Sequence, residues 1–165
     1  MFSARLRQRL ASEILRDIRM LQRKIANLDG RIEAEVEASG TTLTEIFGVG
    51  PILPAKIIGA VGDVARFPTK AHFASYSGTA PVEASSGEVV RHRLSLAGNR
   101  HLNNALHMVA VCQARSGVRG RTYYRKKMAE GKSRKEALRC LKRRISDAVF
   151  KSLMTDLEAP SRSAA

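Results

Sequence analysis

The chain has 165 residues, 44% of them hydrophobic, with 29 Lys and Arg against 15 Asp and Glu, a net charge of +14. That apolar fraction supports one packed domain plus an appendage and is too high for a disordered basic tail, while two cysteines, Cys112 and Cys140, are too few for a secreted disulfide scaffold. No apolar run approaches the ~20 residues of a membrane span, and no continuous apolar stretch follows Arg5 as in a signal peptide. The expectation is a soluble, cytoplasmic, polyanion-binding protein with no membrane partner.

Residues 5–38 read as one long helix. Ile14, Ile18, Leu21, Ile25, Leu28 and Ile32 alternate spacings of four and three, a heptad seam that Leu10 and Val36 extend less regularly. No proline interrupts it, and only Gly30 weakens it, by ~1 kcal/mol relative to alanine. So narrow a seam calls for a partner helix, expected either from a second copy or from a missing part of the chain. The plainer alternative is an amphipathic helix lying on its own domain. Residues 1–40 are therefore assigned as a coiled-coil, oligomerisation segment.

Ser39-Gly40-Thr41-Thr42 ends this helix and supplies a cap for the next element. Leu43 to Phe47, then Gly48-Val49-Gly50-Pro51, then Ile52 to Val61 form a helix-hairpin-helix pattern, two short apolar helices about a tight turn. Pro51 suits the first helical position, where a missing N–H costs nothing. Exposed amides at Gly48 and Gly50, with Lys56 and Lys70 near, would suit a phosphate whatever the base. Plain packing explains such a turn as well.

Phe67-Pro68 breaks the chain, and Thr69 can cap a short helix through Tyr76 that stops at Gly78. Residues 79–94, with Pro81, Ser85-Ser86-Gly87 and Val89-Val90, read as a loop or irregular hairpin. A helix from Gly98-Asn99 to about Arg115 would turn Leu102, Ala105, Leu106, Val109 and Cys112 inward. A loop at 116–120 precedes a helix over about 121–130 that ends at Gly131. Ser133 and Glu136 have capping-box spacing and open a last helix to about Leu157. The fold class expected is mainly α, with one domain over 41–157 and a flexible tail at 158–165.

The charge is not spread along these elements. Residues 1–40 carry a net +2, residues 41–90 and 145–165 carry −1 each, and residues 91–144 hold 16 basic and 2 acidic residues, net +14. Concentration of this kind is the footprint of a polyanion partner rather than of a solvated surface. Gly117, Gly120 and Gly131 break the stretch too often for one amphipathic membrane helix.

Chemistry has few candidates. Cys112 and Cys140 lack C-x-x-C partners, and His72, His92, His101 and His107 lack ligand spacing, so a metal site on this chain is not expected. His107 reads as a helix-face residue and His101 as a phosphate or structural contact. The acidic residues of 41–144 do not form the carboxylate cluster that two-metal phosphoryl transfer needs. Ser85-Ser86-Gly87 stands apart because Arg91-His92-Arg93 follows it, with Asn99 and Arg100 close behind. A serine hydroxyl attacks phosphorus only if positive groups stabilise the transition state, and arginines forked onto a phosphate do that. Ser-Ser-Gly turns are also common connectors.

Gly48-Val49-Gly50-Pro51, Phe67 to Pro81, Ser85-Ser86-Gly87 and Arg93-Leu94-Ser95-Leu96-Ala97-Gly98-Asn99-Arg100-His101-Leu102-Asn103 occur in order. Together they resemble the C-terminal transposase domain of the serine/DEDD-type, RNA-guided insertion-sequence transposases. The resemblance covers about residues 41–155, and the helix at 5–38 is similar to the coiled coil preceding that domain. It implies that the serine before the glycine, Ser86, is a nucleophile that becomes covalently linked to DNA, with Ser85 the adjacent alternative. Arg91 and Arg93 would hold the phosphate, and residues 48–56 would grip the DNA backbone. Asn99, Arg100, Arg121, Arg125, Lys126, Arg139 and Arg143 would contact DNA or a guide RNA. The family also carries an N-terminal resolvase-like domain whose Asp-Glu-Asp-Asp carboxylates bind a divalent metal such as magnesium. Nothing before residue 41 could form it, so the active site is expected to be composite and this chain to bind no cofactor itself. The alternative expectation is a non-catalytic DNA- or RNA-binding protein that modulates a full-length transposase.

Overall fold

A computed structural model describes residues 4–83, 92–93 and 98–159. The fold is mainly helical, with a small antiparallel strand pair in its middle. Helix α1 spans Ala4–Ser39. Its seam is uncovered: Ile14 is 58% exposed, Ile25 57% and Leu21 52%, and only Val36, near the C-terminal end, is buried. The helix thus does not lie on its own domain along its length. It is anchored at one end, where Val36 is buried and α1 meets α2.

Gly40, with φ of 61°, ends α1, and Thr41 caps a single 3-10 turn, Thr42–Glu45. The expected first helix of the hairpin is therefore one turn only. The six residues between Thr41 and Gly48 allow at most three i→i−4 bonds, too short a run to favour an α-helix. The segment closes instead on an i→i−3 bond from the Ile46 amide to the Leu43 carbonyl at 3.2 Å. What fixes this turn is Asp156, near the far end of the chain. Its carboxylate accepts from Thr41 Oγ1 at 2.6 Å, the Thr42 amide at 2.9 Å and Thr42 Oγ1 at 2.7 Å. The clamp sets Leu43, fully buried, into the core.

Helix α2, Ile52–Val61, buries Pro54, Ile57 and Val61 and stops at Gly62, φ 63°. Asp63 caps a second 3-10 turn, Val64–Arg66. Thr69 then caps α3, Lys70–Tyr76, by accepting from the amides of Ala71 and His72. Strands β1, Val82–Glu83, and β2, His92–Arg93, pair antiparallel, Val82 with Arg93 and Glu83 with His92. Asn99 caps α4, Arg100–Arg115, whose buried Leu102, Ala105, Leu106 and Val109 keep the helical period. Cys112 continues that spacing but is exposed, contrary to expectation, because it lies where the hairpin turn, not the core, meets α4.

Helix α5 covers Arg119–Ala129, beginning two residues earlier than expected, and none of its residues is buried. Helix α6, Arg134–Glu158, opens on the Ser133–Glu136 capping box. It is the central element, in contact with α3, α4, α5 and both 3-10 turns. Phe67, Phe73, Tyr76 and Phe150 form an aromatic cluster with ring centroids 5.1–5.5 Å apart in the core between α3 and α6. Burial of this apolar face, rather than helix propensity, holds the short helices in place.

Candidate nucleic-acid interface and serine stem

Ser85, Ser86 and Arg91 lie outside the described residues, and Arg93 is placed by its backbone on β2. What the structure defines is the stem on either side of them. At its base the Asn99 amide donates to the Tyr76 carbonyl at 2.8 Å. Gly98 has φ of 147°, and a Cβ there would sit 2.9 Å from both Gly78 N and Tyr76 O. Only glycine lets the two stems approach this closely. Higher up, the β1–β2 pairing joins them a second time, immediately before residue 84 and after residue 91.

Side chains pin the same base. Asn99 donates to Tyr76 Oη at 2.9 Å while its Oδ1 accepts from the Leu102 amide. Tyr76 Oη donates to the Ala60 carbonyl at 2.9 Å, and the Arg66 guanidinium stacks 4.4 Å from the Tyr76 ring. The hydrogen bond from Asn99, then that from Arg66, lower the Tyr76 pKa. Asn103 donates to the carbonyls of Ser77 at 2.8 Å and Gly78 at 3.2 Å. Its Oδ1 accepts from the ammonium of Lys142, which is 6% exposed. Burial holds the Lys142 pKa below its ordinary value. Burial, and then the Lys142 charge, do the same to His107 on α4.

The other expected contacts divide into two groups. Gly48, φ 89°, is half-buried, its Cβ position 3.2 Å from Cys112 Cβ on α4, whereas Gly50 is exposed with open space around it. Lys56 is exposed and donates to Asn104 on α4 at 3.1 Å. Arg100 stands exposed in the first turn of α4, one residue past Asn99. Arg125 and Lys126 are exposed on α5, and Arg121 is half-exposed. Arg139 lies 3.8 Å from Glu136, and Arg143 reaches Asp147 at 3.2 Å and the Lys70 carbonyl at 3.5 Å. The helices that carry Lys56, Arg121, Arg125, Lys126, Arg139 and Arg143 all pack against α4, which itself carries Arg100. Among the described residues no three His, Cys, Asp or Glu side chains come together to hold a metal ion, and no helix is long and apolar enough to cross a membrane.

Sequence reasoning misses three participants. Charge counting places Lys142 with the surface cations, yet its position puts it on the buried stripe of Leu141, Ile145 and Val149. The helical period carries that signal. Arg144 stacks 4.6 Å from the Tyr123 ring, with Lys127 at 5.5 Å, a cation–aromatic cluster joining α5 to α6. Asp156, 114 residues from Thr42, leaves no local sequence signal at all.

These features define a helical domain with exposed cations on α2, α4 and α5 and a stem fastened at two levels. Residues 40–125 match the transposase IS116/IS110/IS902 family, and the chain belongs to that family. It is 36% identical over 129 residues to the 43.6 kDa protein of insertion element IS110 from Streptomyces coelicolor, covering 76% of this chain and 32% of that protein. It is 30% identical over 149 residues to the 42 kDa protein of insertion element IS900 from Mycobacterium paratuberculosis, covering 88% of this chain and 36% of the relative. A third similarity, 33% over 107 residues, is to the 44.8 kDa protein of insertion element IS116 from Streptomyces clavuligerus, covering 64% of this chain and 27% of that protein. The chain thus spans about a third of the length of these curated relatives.

Proposed function

We propose that this chain supplies the serine-bearing, nucleic-acid-gripping part of a transposase that acts by forming a covalent protein–DNA intermediate. The observation that carries the reading is the closed stem, Asn99 N to Tyr76 O at 2.8 Å, set in a region matched to a transposase family and flanked by cations. In the step proposed, the Ser86 hydroxyl loses its proton and its Oγ forms a bond to a DNA phosphorus. A deoxyribose oxygen leaves with a proton, so the phosphodiester is exchanged rather than hydrolysed. Arg91 and Arg93 would spread the developing charge on the phosphoryl oxygens. Gly50, Lys56, Arg100, Arg121, Arg125, Lys126, Arg139 and Arg143 would hold phosphates of DNA or of a guide RNA. The divalent metal that the resemblance implies finds no ligand set among the described residues and enters no step ascribed to this chain.

The uncovered seam of α1 supports self-association. Ile18, Ile25 and Ile32 occupy one heptad position and Ile14, Leu21 and Leu28 the other. β-Branched residues at a with leucines at d favour a parallel two-stranded coil. Changing Ile18 and Ile25 together to Asp should yield a monomer in sedimentation, and an unchanged mass would remove this part of the proposal.

The catalytic reading is tested with nicked suicide DNA substrates, using the chain with and without a resolvase-like domain of the family. A covalent adduct on a denaturing gel is expected with the domain present and none in Ser86→Ala. An adduct lost in Ser85→Ala but kept in Ser86→Ala would move the nucleophile by one residue. No adduct under either condition would leave the non-catalytic binding role.

A further inference from the structure

We infer that Lys142 acts through Asn103 as a positioning residue, fixing the Ser77–Gly78 turn from which the serine-bearing segment departs. The inference rests on the serine reading above for its consequence and on described contacts for its geometry. A buried ammonium is costly without compensation, and among the described residues Lys142 has no carboxylate beside it, only the Asn103 amide at 2.7 Å. That pairing has a directional result. An ammonium can only donate, so the Asn103 oxygen must face it and the NH2 group must face the other way. The NH2 group then meets the Ser77 and Gly78 carbonyls, at 2.8 and 3.2 Å. With a side chain at 142 that cannot donate, the Asn103 oxygen would lose its donor and the amide would be held from the turn side only.

The turn so gripped is the fastened end of the stem. The amides of Thr79 and Ala80 donate to the Ala74 carbonyl at 2.8 and 3.0 Å, and Gly98 sits against Gly78. Helix α6 holds the same turn a second time through Ser146 Oγ, 3.3 Å from Ser77 Oγ. A lysine used only as a surface phosphate contact would not be placed inside this polar relay. Its buried position makes α6, otherwise the spine of the core, the reference against which the serine stem is set.

The test compares Lys142→Met, which keeps the bulk of the side chain, with Asn103→Asp, which keeps a partner for the ammonium but cannot donate to the two carbonyls. Amide hydrogen exchange is read at Thr79, Ala80 and Asn99, with helix α2 as reference. Both variants should speed exchange at the stem roughly tenfold, the equivalent of one lost hydrogen bond, and leave α2 unchanged. Equal acceleration at α2 would show a merely structural role, and no acceleration anywhere would show that the relay holds nothing; either overturns the inference. In the adduct assay with the resolvase-like domain, Lys142→Met should form adduct at least roughly tenfold more slowly at unchanged DNA affinity. Loss of affinity instead would make Lys142 a phosphate contact and refute positioning. Adduct at the wild-type rate in Lys142→Met removes this inference alone, whereas a wild type that forms none removes the serine reading beneath it.

Discussion

Replacing Gly48 by alanine separates packing from phosphate contact in the hairpin turn. Gly48 adopts φ of 89°, where an alanine Cβ crowds its own backbone, at a cost of roughly 1–2 kcal/mol. The new Cβ would also lie 3.2 Å from Cys112 Cβ and 3.4 Å from the Val109 carbonyl. Both are attached to the rigid helix α4, so overpacking adds roughly 1 kcal/mol. The total, about 2–3 kcal/mol, corresponds to a fall in Tm of about 5–12 °C for a domain of this size. Gly50, with φ outside the left-handed region and nothing within 4 Å, is the internal control: Gly50→Ala should stay within about 0.5 kcal/mol. The assay is urea unfolding monitored by circular dichroism, paired with DNA binding well below either midpoint. Gly48→Ala should be destabilised yet bind DNA normally while folded. Because the nearest contact is a Cβ, adding Cys112→Ala should rescue little. A Gly48→Ala protein of wild-type stability, or one fully stable but weak in DNA binding, would refute the packing argument and restore the expectation from the sequence.

The clamp at the chain's far end, a half-buried histidine and the exposed cations of α5 each give a further test. Asp156→Ala removes three hydrogen bonds and leaves the Thr42 amide without its partner, so the unfolding free energy should fall by about 2–3 kcal/mol. Glu158, exposed at the end of the same helix, is the control: Glu158→Ala should change stability by less than about 0.5 kcal/mol, and an equally small change in Asp156→Ala would contradict the clamp. The His107 pKa is lowered by burial and then by the Lys142 charge, so on acidification the unfolded chain takes up its proton first, near the ordinary value of about 6.5. Its contribution is therefore fully present above about pH 6.5 and declines as the pH falls toward the lower folded value. Unfolding midpoints at neutral and mildly acidic pH should converge in His107→Gln relative to wild type; parallel losses in both proteins would count against it. On α5, Arg125→Ala and Lys126→Ala should each reduce the slope of log K against log salt by about 1 and weaken unrelated sequences equally. An unchanged slope would place those side chains away from phosphates.

Much of this architecture is legible in the sequence because its causes are local. Thr69 and the Ser133–Glu136 pair cap the helices expected of them, and the helix expected from Gly98-Asn99 starts there, since each signal acts within a few residues of itself. The α1 helix and its apolar seam are legible for the same reason. Distance and direction are harder to read. Asp156 fixes the Thr41–Thr42 turn from 114 residues away, a contact with no local trace. Charge counting treats Lys142 like Arg125, although one is buried in a relay and the other is exposed. Gly48 reads as an amide donor for phosphate, and its close approach to Cys112 is a tertiary contact no spacing reveals.

The central claim is that a serine on the fastened stem becomes joined to DNA. Trypsin would release the peptide 71–91, between Lys70 and Arg91, which contains both Ser85 and Ser86. After trapping on a suicide substrate and nuclease trimming, fragment-ion mass spectrometry of that peptide should place the nucleotide remnant on Ser86. A remnant on any residue outside Ser85 and Ser86, or an unmodified peptide beside a trapped adduct, would contradict the account.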